Sequence, residues 1–308
     1  MSRPPQVRVL IHQGGAAVSA LSTAVLARVS AELAVAPADL VVLSELALSP
    51  YFATTTAIQP SSAVMVDGPE VAEAIEVARV NKCLIVLPLA LASGRGAVRN
   101  ACVLLGPDGL VPGRMVSGPR AGTAAPAFAK VHLSENRSTT PGVHEKYHFI
   151  PGDGFLIWDT PLGQIAPLIC YDRSFPEAWR TVADSGAELV VVPIATARPE
   201  RVRMLEAELS VGAVQNGVFV VAACKAGPET IGNDTVTYSG GSVAIGPDGA
   251  VIERAPSPGG DIFFRATLER AALERYPRTF HYARDRRPGA YLRRADSTSP
   301  EDVETTDA

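Results

Sequence analysis

The chain has 308 residues, 47% of them hydrophobic and 19% charged, a balance that builds a large core and excludes an intrinsically disordered protein. A net charge of −4 gives no electrostatic reason to expect nucleic acid or an anionic membrane as partner. The cysteines Cys83, Cys102, Cys170 and Cys224 lie far apart with no C-x-x-C pair, which argues against a disulfide framework or a zinc knuckle and fits a reducing compartment.

In chain order, residues 7–13 read as a strand with no long apolar run ahead of it to serve as a secretory signal. Residues 18–33 follow as a helix. The Ala-rich run over 16–40 is broken by Arg28, Glu32 and Asp39, so its pattern predicts a helix and then a strand, not a membrane span. A soluble, cytoplasmic protein is expected. Residues 40–44 form an apolar strand. The segment 69–81 opens on Pro69 and places Val71, Ala74, Ile75 and Ala78 at the spacing of one helix face. Residues 83–87 read as a buried strand.

Two segments then echo each other, 103–111 and 243–251, each a strand, a Pro-Asp-Gly turn and a strand. One copy in each half suggests two sheets in pseudo-symmetric halves. The Gly- and Pro-rich stretch 116–125 reads as a loop insertion. Strands are predicted over 155–158, 164–169 and 188–193, helices over 176–185 and 199–215, and a β-rich run over 217–223. The alternation points to an α/β class with covered sheets. Residues 295–308 set acids among Ser and Thr without an apolar pattern and are expected to be a disordered acidic tail.

The chemistry concentrates on Cys170, in Gly163-Gln164-Ile165-Ala166-Pro167-Leu168-Ile169-Cys170-Tyr171-Asp172-Arg173-Ser174-Phe175-Pro176-Glu177. An apolar run delivers the cysteine to the end of a strand, and a helix start follows within a few residues. At such an elbow a thiol projects from a sharp turn, and backbone N–H groups face any oxyanion formed there. A thiol of ordinary pKa, about 8.5, is mostly protonated at neutral pH and needs a neighbouring cation or base. The alternative is a buried structural cysteine. Two further segments carry candidates. Glu45 ends an apolar strand, where it could equally be a charge in water. Lys130 lies inside Phe128-Ala129-Lys130-Val131-His132-Leu133, where an edge lysine could snorkel.

Together, Glu45, Lys130 and the Cys170-Tyr171-Asp172…Phe175-Pro176-Glu177 run resemble the nitrilase, or carbon–nitrogen hydrolase, superfamily, whose members use a Glu, a Lys and a Cys in this order. The resemblance extends from about residue 7 to about residue 291. It implies a four-layer α-β-β-α sandwich and a single carbon–nitrogen hydrolase domain over residues 1–294. It further implies Glu45 as general base, Lys130 as the group holding thiolate and oxyanion, and Cys170 as nucleophile. No metal and no organic cofactor are implied; the partner is a small-molecule substrate, and the chain is expected to form a homo-oligomer.

The stretch Glu145-Lys146-Tyr147-His148-Phe149-Ile150-Pro151-Gly152-Asp153 is similar to the Glu-Lys-…-Phe-x-Pro-Gly-Asp stretch of hydrolases of N-carbamoyl amino acids and N-carbamoylputrescine. That likeness implies Glu145 as a second active-site carboxylate. The same residues spell H-E-x-x-H between His144 and His148, a zinc signature that works only where the two histidines stack on a helix. Pro141-Gly142 before and Pro151-Gly152 after leave barely two turns, so no metal is expected.

Arg173 is either a helix-start arginine pairing with a surface acid or a guanidinium fork for a substrate carboxylate. In relatives acting on N-carbamoyl amino acids an arginine occupies this place, so Arg173 and Tyr171 are candidate substrate-binding residues. The resemblance implies hydrolysis of the carbamoyl group of an N-carbamoyl amino acid, giving amino acid, CO2 and ammonia. Ser174, Ala129, Cys224 and the 211–216 segment depart from the family pattern and keep a small amide or a nitrile open as substrate. A non-catalytic binding protein on the same fold is the last alternative, and the complete Glu45, Lys130 and Cys170 set stands against it.

Overall fold

The computed structural model describes residues 3–14, 21–56, 63–94, 96–138, 142–232, 234–256 and 260–291. The expected tail over 295–308 and the start of the helix expected over 18–33 lie outside these residues.

Short runs such as Leu40-Val41-Val42 and Leu189-Val190-Val191-Val192 are apolar at every position, which suits parallel strands covered on both faces. They become the centres of two sheets. In the first, the order is Ile262–Glu269, Gln6–Gln13, Leu40–Val42, Leu84–Ser93, Ala97–Gly106 and Gly109–Val111, with the short Phe128–Ala129 strand also on Ala97–Gly106. In the second, Val251–Arg254, Val243–Ile245, Phe219–Cys224, Leu189–Ile194, Gly163–Pro167 and Leu156–Thr160 follow one another, and Gly113–Met115 and Ala124–Ala125 extend that edge.

The two sheets share one plan. Each has three parallel strands, flanked by an antiparallel strand on one side and an antiparallel hairpin on the other. The two Pro-Asp-Gly hairpins therefore sit one in each sheet, at equivalent edges. The helices Ala24–Val35 and Pro69–Asn81 connect the parallel strands of the first sheet; Pro176–Asp184 and Pro199–Asn216 connect those of the second.

Side-chain alternation along the first sheet separates two cores. Leu10, Val41, Ile85 and Leu87 face the helices and pack on Leu26, Val29, Val71 and Ala74. Val9, Ile11, Leu40, Val42 and Val86 face the second sheet and join Ile165, Val190 and Val220 in a core that continues to Trp179 and Leu209 on the outer helices. The layers run helix, sheet, sheet, helix, as a four-layer sandwich.

Boundaries shift where local patterns are weak. The first helix begins at Ala24, because residues 21–23 are extended or irregular. The stretch 116–125 is not a free insertion: its end, Ala124–Ala125, pairs with Gly113–Met115 and closes a hairpin. Among the described residues no helix is long and apolar enough to cross a membrane.

Candidate active site

The parallel strands of both sheets deliver their carboxyl ends to one region, the place where open α/β sheets gather ligands. Glu45 follows Leu40–Val42, Lys130 follows Phe128–Ala129, and Cys170 follows Gly163–Pro167. Glu145 opens a single helical turn, Glu145–His148. The structure brings these four residues together.

Lys130 is 1% exposed, and both Glu45 and Glu145 are wholly buried. Its ammonium donates to Glu45 Oε1 at 3.0 Å and to Glu145 Oε1 at 2.6 Å. The lysine backbone is pinned as well: its N–H donates to Asn100 O, and its carbonyl accepts the Gly152 N–H, each at 2.8 Å. Gly152 permits that approach, since a Cβ there would lie 2.2 Å from the Ala129 carbonyl oxygen. The Pro-Gly-Asp stretch is thus a packing requirement of the lysine segment.

The two carboxylates differ in how completely they are satisfied. Glu145 Oε1 accepts from Lys130, from the Tyr51 hydroxyl at 2.7 Å and from Asn100 Nδ2 at 3.3 Å, while Oε2 accepts the Ser134 N–H at 2.7 Å. Glu45 Oε1 accepts from Lys130 and from Asn100 Nδ2 at 2.7 Å, but its Oε2 is buried with no hydrogen-bond partner among the described residues. A buried, unpaired carboxylate oxygen is costly to keep and ready to take a proton. Burial pushes the Glu45 carboxyl up, and Lys130 offsets part of that rise. Burial alone would lower the Lys130 ammonium, yet Glu145 and Glu45 hold it above the usual lysine range. Burial, and then the charge of Glu145, raises the Tyr51 hydroxyl well above the ordinary tyrosine value.

Cys170 opens a short 3-10 turn, Cys170–Ser174, and its own φ is +44°. That left-handed conformation costs a non-glycine residue about 1–3 kcal/mol and persists only where the surroundings impose it. Asp172 is one cause. It is fully buried, its Oδ2 accepts the Ile169 N–H at 3.1 Å, and its Oδ1 accepts the His132 N–H at 2.9 Å. It ties the cysteine turn to the segment that carries Lys130. The His132 ring stacks on Phe175 at 3.6 Å and lies 2.8 Å from Asp172 Oδ1. The Cys170 thiol points 3.7 Å from the Ala195 carbonyl, and burial together with Glu45 pushes it up to about 11.

A cavity of about 530 Å³ opens over these groups, lined by Lys130, Cys170, Tyr171, Tyr51, Tyr238 and Thr196 among others. Glu45 lies behind it. Arg173 reaches the wall, but its side chain is 1% exposed and faces other groups: Nη1 donates to Cys170 O at 2.7 Å, while Nε lies 3.0 Å from a Glu208 carboxylate oxygen as an ion pair without hydrogen-bond geometry. The fork sits beneath the cysteine turn.

The histidines of the H-E-x-x-H match do not share a helix face. His144 ends a two-residue strand and lies 3.3 Å from Glu135, whereas His148 meets the Thr55 carbonyl at 2.6 Å. Between them Glu145 turns into the site. Among the described residues no group of three or more His, Cys, Asp or Glu is placed to hold a metal ion.

Three residues of the site carried no assigned role in the sequence reading: Asn100, Tyr51 and Asp172. Asn100 had a signal, a wholly buried polar residue within an apolar strand.

A profile of the carbon–nitrogen hydrolase family matches residues 19–278. Over 219 residues the chain is 30% identical to a citrullinase of Francisella tularensis, spanning 68% of this chain and 70% of that one. Over 195 residues it is 32% identical to an N-carbamoylputrescine amidase of Solanum lycopersicum, spanning 58% of this chain and 62% of the relative, less than two thirds of its length. The fold resembles that of a carbon–nitrogen hydrolase from Helicobacter pylori G27, with a TM-score of 0.74 and 21% identity over 93% of this chain and 97% of that one.

Proposed function

Because the chain belongs to the carbon–nitrogen hydrolase family, we propose that it is an amidohydrolase that cleaves the carbamoyl C–N bond of a small ureido compound, with an N-carbamoyl amino acid as the substrate class, through a thioester-type intermediate on Cys170. The single observation that carries this reading is the unpaired Glu45 Oε2 beside a lysine that already serves two carboxylates.

The orphaned oxygen divides the labour between the carboxylates. Glu145, with both of its oxygens hydrogen-bonded, anchors Lys130; Glu45 moves protons. Glu45 takes the thiol proton as Cys170 Sγ attacks the carbonyl carbon. Lys130 stabilises the oxyanion of the tetrahedral species, where preorganised charge is worth most. Collapse breaks the C–N bond, and the leaving nitrogen takes the proton back from Glu45. Water then attacks the carbonyl, giving its proton to Glu45, and the carbon–sulfur bond breaks to restore the thiol. From an N-carbamoyl amino acid one C–N bond breaks on the enzyme and hydrolysis releases a carbamic acid, whose remaining C–N bond then breaks with loss of CO2, so the products are the amino acid, CO2 and ammonia. A general base that starts from a protonated thiol suits the raised Cys170, since no resting thiolate is needed.

A second reading, hydrolysis of an uncharged amide or nitrile, is favoured by one observation: the Arg173 fork is already engaged by Glu208 and the Cys170 carbonyl. A panel of N-carbamoyl amino acids, carbamoylated amines, aliphatic amides and nitriles tests both. The proposal expects the carbamoyl compounds to lead in kcat/KM and an adduct on the Cys170 peptide to appear in the mass spectrum of quenched turnover. Preference for amides or nitriles moves the second reading ahead, and turnover without a Cys170 adduct overturns the mechanism.

A further inference from the structure

A second buried lysine–carboxylate pair lies near the site and takes no part in the reaction described. Lys225 is 2% exposed and follows the Phe219–Cys224 strand; Glu229 is 1% exposed in the next strand, Ala226–Ile231. Lys225 Nζ donates to Glu229 Oε1 at 2.5 Å and to the Ser49 carbonyl at 3.1 Å. Glu229 Oε2 accepts the Tyr51 N–H at 2.9 Å. Both members of the pair therefore grip one loop of the opposite sheet, the loop that leaves Leu40–Val42 and runs past Glu45 to Tyr51.

That loop needs holding. Leu46, directly after Glu45, is buried at φ +50°, a left-handed conformation leucine rarely adopts. At the other end of the loop the Tyr51 hydroxyl donates to Glu145, and its ring stands edge-on to Tyr238 at 6.4 Å. Buried ion pairs are poor stabilisers, because desolvation offsets most of their attraction. A charged acceptor nevertheless grips an N–H about twice as strongly as a neutral one. Geometry, more than stability, is what this pair supplies.

We propose that Lys225 and Glu229 are positioning residues, a charged clamp across the two sheets that acts through Tyr51 to fix Glu145, and so Lys130, against the nucleophile. The proposal rests on the reading above in which Glu145 anchors Lys130. Loss of the clamp lets Tyr51 withdraw its hydroxyl, Glu145 then holds Lys130 less firmly, and the Lys130 charge that keeps the Glu45 carboxyl from rising further is weakened.

The test compares Tyr51→Phe, Glu229→Gln and the two combined. Each single change is expected to lower kcat about 10- to 100-fold, the loss of one hydrogen bond to a charged group, with KM little changed. Each also moves the acid limb of the kcat/KM profile upward by about one pH unit. The combined variant should be no slower than the slower single one, since both act along one path. Lys225→Met with Glu229→Gln removes both charges and guards against misfolding; it should keep a wild-type Tm while kcat stays low. Losses that multiply, an unmoved acid limb, or wild-type kcat in that neutral double variant would overturn the clamp. The pH dependence of Cys170 alkylation gives the same information without substrate. If the wild-type protein hydrolyses no ureido compound, amide or nitrile, the reaction reading fails, while a shifted or unshifted alkylation profile in the variants still decides the clamp.

Discussion

Two lysines are buried at the carboxyl ends of strands, each against glutamate, and they are built to different ends. Lys130 stands between two carboxylates, one of which keeps an unpaired oxygen. Lys225 meets a single glutamate whose oxygens are both occupied, one by the lysine and one by the Tyr51 N–H. The first centre carries surplus negative charge and an open acceptor. The second is balanced and filled. A buried ion pair of itself signals neither catalysis nor stability; the unfilled lone pair separates a centre that moves protons from one that holds geometry.

The sharpest break in that comparison is the nucleophile the first centre serves. Cys170→Ser is expected to lower kcat by about 10³-fold or more, as loss of a nucleophile does elsewhere, and Cys170→Ala at least as much. Steady-state rates with a carbamoyl substrate check this, and retention of more than about a tenth of kcat, a barrier change near 1.4 kcal/mol, would remove Cys170 from the mechanism. Next in size is the base. Glu45→Gln keeps the Lys130 and Asn100 contacts in shape but removes the carboxylate that takes the proton, so kcat should fall about 10²- to 10⁴-fold. The same exchange at Glu229 should cost far less. Equal losses at the two glutamates would erase the distinction drawn between the centres.

Arg173 sharpens the comparison at its edge. Its guanidinium lies between Glu208 and the Cys170 carbonyl, beneath the strained turn. Arg173→Ala should therefore slow an N-carbamoyl amino acid and an uncharged amide alike, by about 10-fold in kcat/KM for one lost charge-assisted bond. A rise in KM confined to the carboxylate-bearing substrate would show instead that the fork releases Glu208 to bind substrate.

The legible parts of this chain are those whose signals are local. Pro69–Asn81 appears with the boundaries its sequence suggests, because Pro69 supplies the first turn and Lys82 ends the helix in the left-handed region at φ +53°. The Cys170 elbow is visible for the same reason: strand, turn and helix start are consecutive. By contrast, the Ile262–Glu269 strand pairs with Gln6–Gln13 at the other end of the chain, and no local pattern announces such a partner. The hairpin Ala226–Ile231 with Asp234–Ser239 hides behind Thr, Pro and Asp that read as loop. Glu45, Lys130 and Glu145 came into view as a set only through resemblance, since three short segments spread over a hundred residues carry no common spacing. Asn100 and Tyr51 join them by side-chain convergence across strands, and Glu208 lies on a helix well beyond Arg173 in sequence. Which groups would satisfy Arg173 was a tertiary question.

The smallest expected effect is thermodynamic and has a definite sign. Burial raises the folded-state pKa of Glu45 above its unfolded value, ordinarily about 4.3. A carboxylate raised in this way contributes stability that is fully present below the unfolded pKa and is lost as pH rises through the folded one. As pH rises above the unfolded value Glu45 therefore costs stability, a cost that the proposed chemistry requires and the fold does not. Glu45→Gln removes the charge without removing the acceptor for Lys130 and Asn100. Its Tm should match that of the wild-type protein at acid pH, where Glu45 is protonated, and exceed it at neutral pH, with the gap opening across the range between the two pKa values. The variant is then nearly inactive and more stable together, the pattern of a site that holds an unfavourable charge for function. Glu229→Gln should instead lower the Tm, because Glu229 meets Lys225 through one oxygen and Tyr51 through the other, and removing its charge leaves a buried ammonium unpaired. Melting curves of both variants across pH decide it: a Glu45→Gln protein that loses stability at neutral pH would mean that Lys130 depends on the Glu45 charge as much as Lys225 depends on Glu229, and the two centres would be of one kind.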